Sequence, residues 1–178
     1  MSYTEAKDWI GYLEHQTPDL LGVFRANPGK GGNTIFATLI AMSQGRNLQG
    51  LPWCATFVHA VVNRPDVIGK AHPGTRKLAR RMRRYGLWRD RDYLPEDGDI
   101  IFCTNHPEGP GRINHVAIVE AVDDQEVVSI DGNTHDPSGV FPWEEGGAVD
   151  RVIRRLDDPK IVGYAATGKL LKIPRKDW

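Results

Sequence analysis

The sequence predicts an α+β domain with helices in the first half of the chain and an antiparallel sheet in the second. Three observations carry that expectation. Apolar residues recur near helical spacing up to about residue 85. From residue 99 onward the pattern changes to short β-rich runs separated by turn residues. The 178 residues, 40% hydrophobic and 26% charged, can enclose a full core without disulfide or metal staples. A single domain over 1–178 is therefore expected, with a core over about 5–166 and a short basic tail at 167–178.

Tyr3, Ala6, Trp9, Ile10 and Leu13 suggest a first helix over residues 3–15. Asn27-Pro-Gly-Lys-Gly-Gly-Asn33 is a glycine-rich loop, and Thr34 to Met42 is apolar and helical in pattern. Gly50-Leu-Pro-Trp53 marks a turn, and Cys54 to Val62 reads as a buried helix. Pro73-Gly74 introduce a basic helix, Thr75 to Tyr85. The strands expected are Asp99–Thr104, Ile113–Val122, Glu126–Ile130, Val149–Arg155 and Lys160–Ala166, joined as a meander. Turns fall at Asp97-Gly98, Asp123-Asp124 and Asp157-Asp158-Pro159.

Twenty-three bases balance 23 acids, which argues against wholesale electrostatic capture of nucleic acid or anionic membrane. The balance hides segregation. Residues 70–91 hold nine bases and one acid, net +8, and residues 92–158 hold four bases and sixteen acids, net −12. The basic helix is expected to be solvated and paired with the acidic half. No window approaches the ~18 consecutive apolar residues of a membrane span. The polar start, Met1-Ser-Tyr-Thr-Glu, is unlike a Sec signal, so synthesis in the cytoplasm with reduced thiols is expected. Cys54, His59, Cys103 and His106 or His115 lack the close ligand pairs of a zinc site, and residues 1–60 lack a loop of alternating Asp and Asn for calcium. No metal and no cofactor are expected.

Cys54 follows Pro52-Trp53 and opens a helix. There the unsatisfied backbone N–H groups and the positive end of the helix dipole favour thiolate and can also hold an oxyanion. A thiolate nucleophile needs a base that can protonate the leaving amine. Of six histidines, His115 alone heads a strand, where a rigid element sets its direction. His59, five residues after Cys54, points off the nucleophile's face, and it, His106 and His135 read as surface histidines. Asp131-Gly-Asn133 ends the strand Val127–Ile130. Two strand residues at i and i+2 share a face, so Asp131 and Asn133 could both turn toward His115. The alternative for Asp-Gly-Asn is a plain turn.

These residues carry a family resemblance. Gly50-Leu-Pro-Trp-Cys-Ala-Thr-Phe-Val resembles the nucleophile motif of CHAP-domain amidases and endopeptidases, relatives of the NlpC/P60 peptidases with a papain-like core. Pro95-Glu-Asp-Gly-Asp-Ile-Ile-Phe is similar to the family's Gly-Asp strand opening, and Asn114-His115-Val-Ala-Ile-Val to its histidine strand. Ile130-Asp-Gly-Asn-Thr is similar to its Glu/Asp-Gly-Asn ending, and Gly31-Gly-Asn-Thr to the lead-in of phage-type members. The resemblance spans roughly residues 5–165. It implies a papain-like fold with Cys54 as nucleophile, His115 as general base and acid, and Asp131 as orienter. Asn133 would orient the ring further or stabilise the oxyanion. Many members carry Glu where this chain has Asp131; the side chain is one methylene shorter, which makes Asn133 a rival for His115.

The expected function is hydrolysis of an amide bond in peptidoglycan, as an N-acetylmuramoyl-L-alanine amidase or a peptide endopeptidase. A phage or prophage endolysin, or an antibacterial effector sent through a secretion machine, would fit. Peptidoglycan is then the partner, with no nucleic acid, no membrane segment and a monomeric chain. Trp53, and Trp143 in the long loop Thr134–Gly147, are expected to wall the substrate groove or else to be packing residues. Two rivals stand beside this reading: a cytosolic amidase on a small peptide or polyamine conjugate, and a non-enzymatic papain-like binding module.

Overall fold

Thr34 starts the first α-helix. In the computed structural model, which describes residues 3–15, 33–107, 113–135 and 146–173, its hydroxyl accepts the Ala37 N–H at 3.2 Å. That caps α1 (Ile35–Gln44), and Gly45 ends the helix at a φ of 65°. The segment before it departs from expectation. Only Tyr3–Trp9 is helical, as a 3₁₀ turn, and the chain then runs extended beside residues 147–149. The Gly11 N–H donates to Val149 O at 2.9 Å and the Val149 N–H to Tyr12 O at 2.8 Å. Tyr12 and Leu13 are consecutive and both buried, a pattern that suits a segment packed on two sides rather than one helical face.

α2 (Cys54–Val62) matches its expected span, and all nine of its residues are buried. A helix apolar on every side belongs inside a core. α3 (Pro65–Ile68) was not foreseen. α4 (Thr75–Arg84) buries Thr75, Leu78, Ala79 and Met82 at i, i+3, i+4 and i+7 and turns its bases outward. Its expected pairing with the acidic half does not occur: among the described residues no acid forms an ion pair with α4. Arg81 instead donates to the carbonyls of Ile68 and Lys70, and the Arg83 guanidinium lies 3.9 Å above the Trp88 ring.

A six-stranded antiparallel sheet follows: β1 (Trp88–Asp90), β2 (Ile100–Cys103), β3 (His115–Val122), β4 (Glu126–Thr134), β5 (Ala148–Arg155) and β6 (Ile161–Ala165). Its order is β1-β6-β2-β3-β4-β5. β2 to β5 form the expected meander, but β6 returns to pair with β2, and β1 adds outside it. All four residues of β2 are buried, so an unpaired edge there would strand its backbone polar groups; β6 satisfies them.

The period of two sorts the side chains cleanly. Ile100, Phe102, Val116, Ile118, Ile130 and Val149 face the helices. Ile101, Cys103, Ala117, Val119, Val127 and Tyr164 form a second cluster on the opposite face, covered by Tyr93 and Leu156. The start of the expected tail is packed as well, as α5 (Gly168–Leu171). The Thr167 hydroxyl donates to Gly98 O and the Gly168 N–H to Asp99 Oδ1, both at 2.8 Å. Among the described residues no helix is long and apolar enough to cross a membrane.

Candidate active site

α2 presents Cys54 at its N-terminus, and no side chain caps that end. The free N–H groups of the first turn are therefore available to an anion beside the sulfur. Trp53 anchors this point from below. Its Nε1–H donates to Glu14 Oε2 at 2.7 Å, and its ring stacks on Phe36 at 5.6 Å. Only 1% of Trp53 is exposed, which corrects the expectation that it walls a groove. The indole is large and apolar, with a single donor that Glu14 satisfies, so burial suits it better than the surface. Trp143 lies outside the described residues, as do the other expected groove residues of its loop, Phe141, Glu144 and Glu145.

His115 is the first residue of β3, paired across from Cys103. Its Nε2–H donates to Asp131 Oδ2 at 2.7 Å. That leaves Nδ1 for the Cys54 sulfur, which also acts on the ring. Burial works against the imidazolium, but the hydrogen bonds and charges of Asp131 and Cys54 outweigh it and lift His115 to about 10. Asp131 is fully buried. Burial alone would raise it, yet His115 and then Arg154 hold its carboxyl well below the usual carboxylate range.

Both Asp131 oxygens are engaged. The Ser129 hydroxyl donates to Oδ1 at 2.5 Å, and Arg154 Nη2–H donates to Oδ2 at 2.6 Å. Arg154 Nη1–H donates to Ser129 Oγ, also at 2.6 Å. One connected chain of polar contacts thus runs from the α2 terminus through β3 and β4 to β5.

Residues 46–133 match the family model of the CHAP domain. The chain carries a CHAP domain. No curated protein matches the chain. CHAP domains are typically hydrolases, with amidase or peptidase action on peptidoglycan as their general activity. The helices and antiparallel sheet described above have the α+β, papain-like architecture of this family. The CHAP match contains Cys54, His115, Asp131 and Asn133 and stops before Arg154.

In this CHAP domain Asp131-Gly-Asn133 is not a turn. β4 continues through it to Thr134, with Asp131 opposite Asp150 and Gly132 opposite Val149. Gly132 has a packing reason: a Cβ there would sit 2.5 Å from Cγ of Phe57 in α2 and 2.6 Å from its Cβ. The missing side chain lets β4 lie close to the nucleophile helix. The register then slips between Gly132 and Thr134, and Asn133 turns to a φ of 59°. The slip breaks the i, i+2 alternation that would have aligned Asn133 with Asp131. Among the described residues Asp131, not Asn133, is hydrogen-bonded to His115.

His59 also differs from expectation: it is buried in α2, not on the surface. Its Nε2 has no hydrogen-bond partner among the described residues, and burial, reinforced by Arg81, His72 and Arg46, pushes it down to about 3. His106 and His135 are exposed. Cys103 is buried in β2, and burial pushes its thiol up to about 12. Among the described residues no group of three or more His, Cys, Asp or Glu could hold a metal ion.

Ser129 and Arg154 were not foreseen. In the run Asp150-Arg-Val-Ile-Arg-Arg155 the usual order is reversed: Ile153 is 59% exposed while the Arg154 side chain is only 13% exposed. One signal could have found Arg154. A carboxylate expected inside a sheet needs a cation from a neighbouring strand, and β5 offers three.

Proposed function

We propose that this CHAP domain cleaves an amide bond of peptidoglycan, either between the muramoyl group and L-alanine or within the peptide. The supporting observation is the imidazole of His115, held between the Cys54 thiol and the Asp131 carboxylate. Cys54, as thiolate, attacks the scissile carbonyl, and the N–H groups at the start of α2 receive the developing oxyanion. The intermediate collapses as His115 gives its proton to the departing amine, leaving a thioester on Cys54. His115 then takes a proton from water, which attacks the thioester, releases the acid and restores the thiol–imidazole pair. Asp131 keeps the ring oriented throughout and stabilises its cationic form. Asn133 shapes the end of β4 beside it.

In this reading the chain acts as a monomer and as one catalytic domain over 1–178, without cofactor or nucleic acid. It is made in the cytoplasm and reaches the wall after phage lysis or by specialised export, as an endolysin or an antibacterial effector. Purified sacculi from several wall types, digested with wild type and Cys54→Ala, test the reading by mass spectrometry of the soluble products. New amino termini at alanine are expected for the amidase, and termini within the stem or cross-bridge for the endopeptidase. No release from any wall by the wild type would overturn it.

A further inference from the structure

Arg154 and Ser129 take no direct part in the chemistry just set out, yet among the described residues they supply the side-chain hydrogen bonds to Asp131 besides that of His115. We propose that Arg154 is a positioning residue that sets the proton balance of the Cys54–His115 pair by compensating the charge of Asp131, with Ser129 holding the guanidinium in place. The proposal rests on the reading of Cys54 as nucleophile and His115 as its base.

The argument is one of charge in a buried cluster. Asp131 is −1 and Arg154 +1, so together they are neutral whether the pair is thiol–imidazole or thiolate–imidazolium. The pair then holds one proton. Without the guanidinium, Asp131 would be a buried anion facing the pair alone, and a second proton on the pair would compensate it. The second proton converts thiolate–imidazolium into thiol–imidazolium, and the nucleophile is lost.

Geometry makes the compensation specific. Arg154 presents two nitrogens, one to Asp131 Oδ2 and one to Ser129 Oγ, whose own hydrogen goes to Oδ1. This fork fixes both carboxylate oxygens while leaving Oδ2 open to His115. Other groups face the cluster. Cys103 of β2 and Tyr164 of β6 stay neutral at ordinary pH, since burial pushes both up to about 12. Asp158 acts on Arg154, Lys160 on Cys103 and Arg91 on Tyr164. Arg154 itself lowers Cys103 and Tyr164, so its replacement leaves both more firmly neutral.

Alkylation of Cys54 by iodoacetamide across pH tests this without any wall substrate, using intact chain and peptide mapping with Cys103 as internal reference. Arg154→Met should displace the profile to higher pH, with the rate at pH 6 falling about tenfold. Asp131→Asn, which removes the opposite charge, should displace it to lower pH. Arg154→Lys, which restores the charge but not the fork, should lie nearer wild type than Arg154→Met. Where Arg154→Met does not fold by near-UV circular dichroism, Ser129→Ala keeps both charges and loosens the fork, and a smaller displacement to higher pH is expected. A wild-type profile for the folded variant, or a displacement in the same direction as Asp131→Asn, would overturn the proposal alone. Wild-type Cys54 reacting no faster than Cys103 at any pH would overturn the nucleophile reading with it.

Discussion

Two histidines of this molecule, one buried and one largely so, are driven in opposite directions. His59 sits in α2 on the side of the basic helix, where burial and then the neighbours Arg81, His72 and Arg46 push it down to about 3. His115 sits at the head of β3 beside Asp131 and is lifted to about 10 against its burial. Burial disfavours charge in both places; the neighbours decide the outcome. The segregated charges of the sequence, +8 over residues 70–91 and −12 over 92–158, thus acquire a local meaning around two imidazoles.

The comparison is broken most sharply by removing each ring in turn. His115→Gln should lower wall hydrolysis by at least about 10³-fold, whereas His59→Leu should stay within a few-fold of wild type in the same dye-release assay. Similar losses in both would mean that His115 has no special role.

Next, Asp131→Asn should cost about 10²–10⁴-fold in kcat/KM. It should also bring the alkaline limb of the pH profile down from near 10 toward the 6.5 of an ordinary imidazole. A limb that stays near 10 would mean that another group holds the proton.

Gly132→Ala should destabilise by about 1–3 kcal/mol as the new methyl meets Phe57, and should lower activity by moving α2 off β4. Thermal unfolding that matches wild type would show that the contact yields.

The smallest effect concerns stability against pH. His115 is raised when folded, so its contribution is fully present below about 6.5 and is lost as pH rises toward 10. His59 is depressed when folded, so its contribution is present above about 6.5 and is lost as pH falls toward 3. Denaturant titrations at several pH values should show His59→Leu flattening the acid slope and His115→Gln the alkaline one. Identical slopes in both variants would remove the contrast.

Much of this was legible from the residues. α2 was readable to its last residue because a Pro-Trp turn precedes a mostly apolar run. Cys54, His115 and Asp131 were legible because each sits at a definable point on an element. The missed parts share a physical cause: they depend on what lies across space. α3 and β1 are four and three residues long, too short to show a period. The insertion of β6 between β1 and β2 leaves no local mark. The extension of β4 through Asp-Gly-Asn depends on Phe57 standing opposite Gly132. Trp53 and Arg154 were hard to place for the same reason. The aromatic beside the nucleophile could be groove or packing and is core, and the arginine inside the charged strand drew no reading because its partner Asp131 lies on another strand.

The return of β6 to the side of β2 has a consequence for the order of events in synthesis. The residues that match the CHAP family end at 133, before β5 supplies Arg154 and before β6 closes the sheet. The 3₁₀ turn and the extended arm after it wait likewise for residues 147–149. Contacts of such long sequence separation form late. A nascent chain that has exposed both Cys54 and His115 still lacks the outer strands that flank them. The Asp131–Arg154 pair and the completed sheet therefore wait until residue 165 has left the ribosomal tunnel.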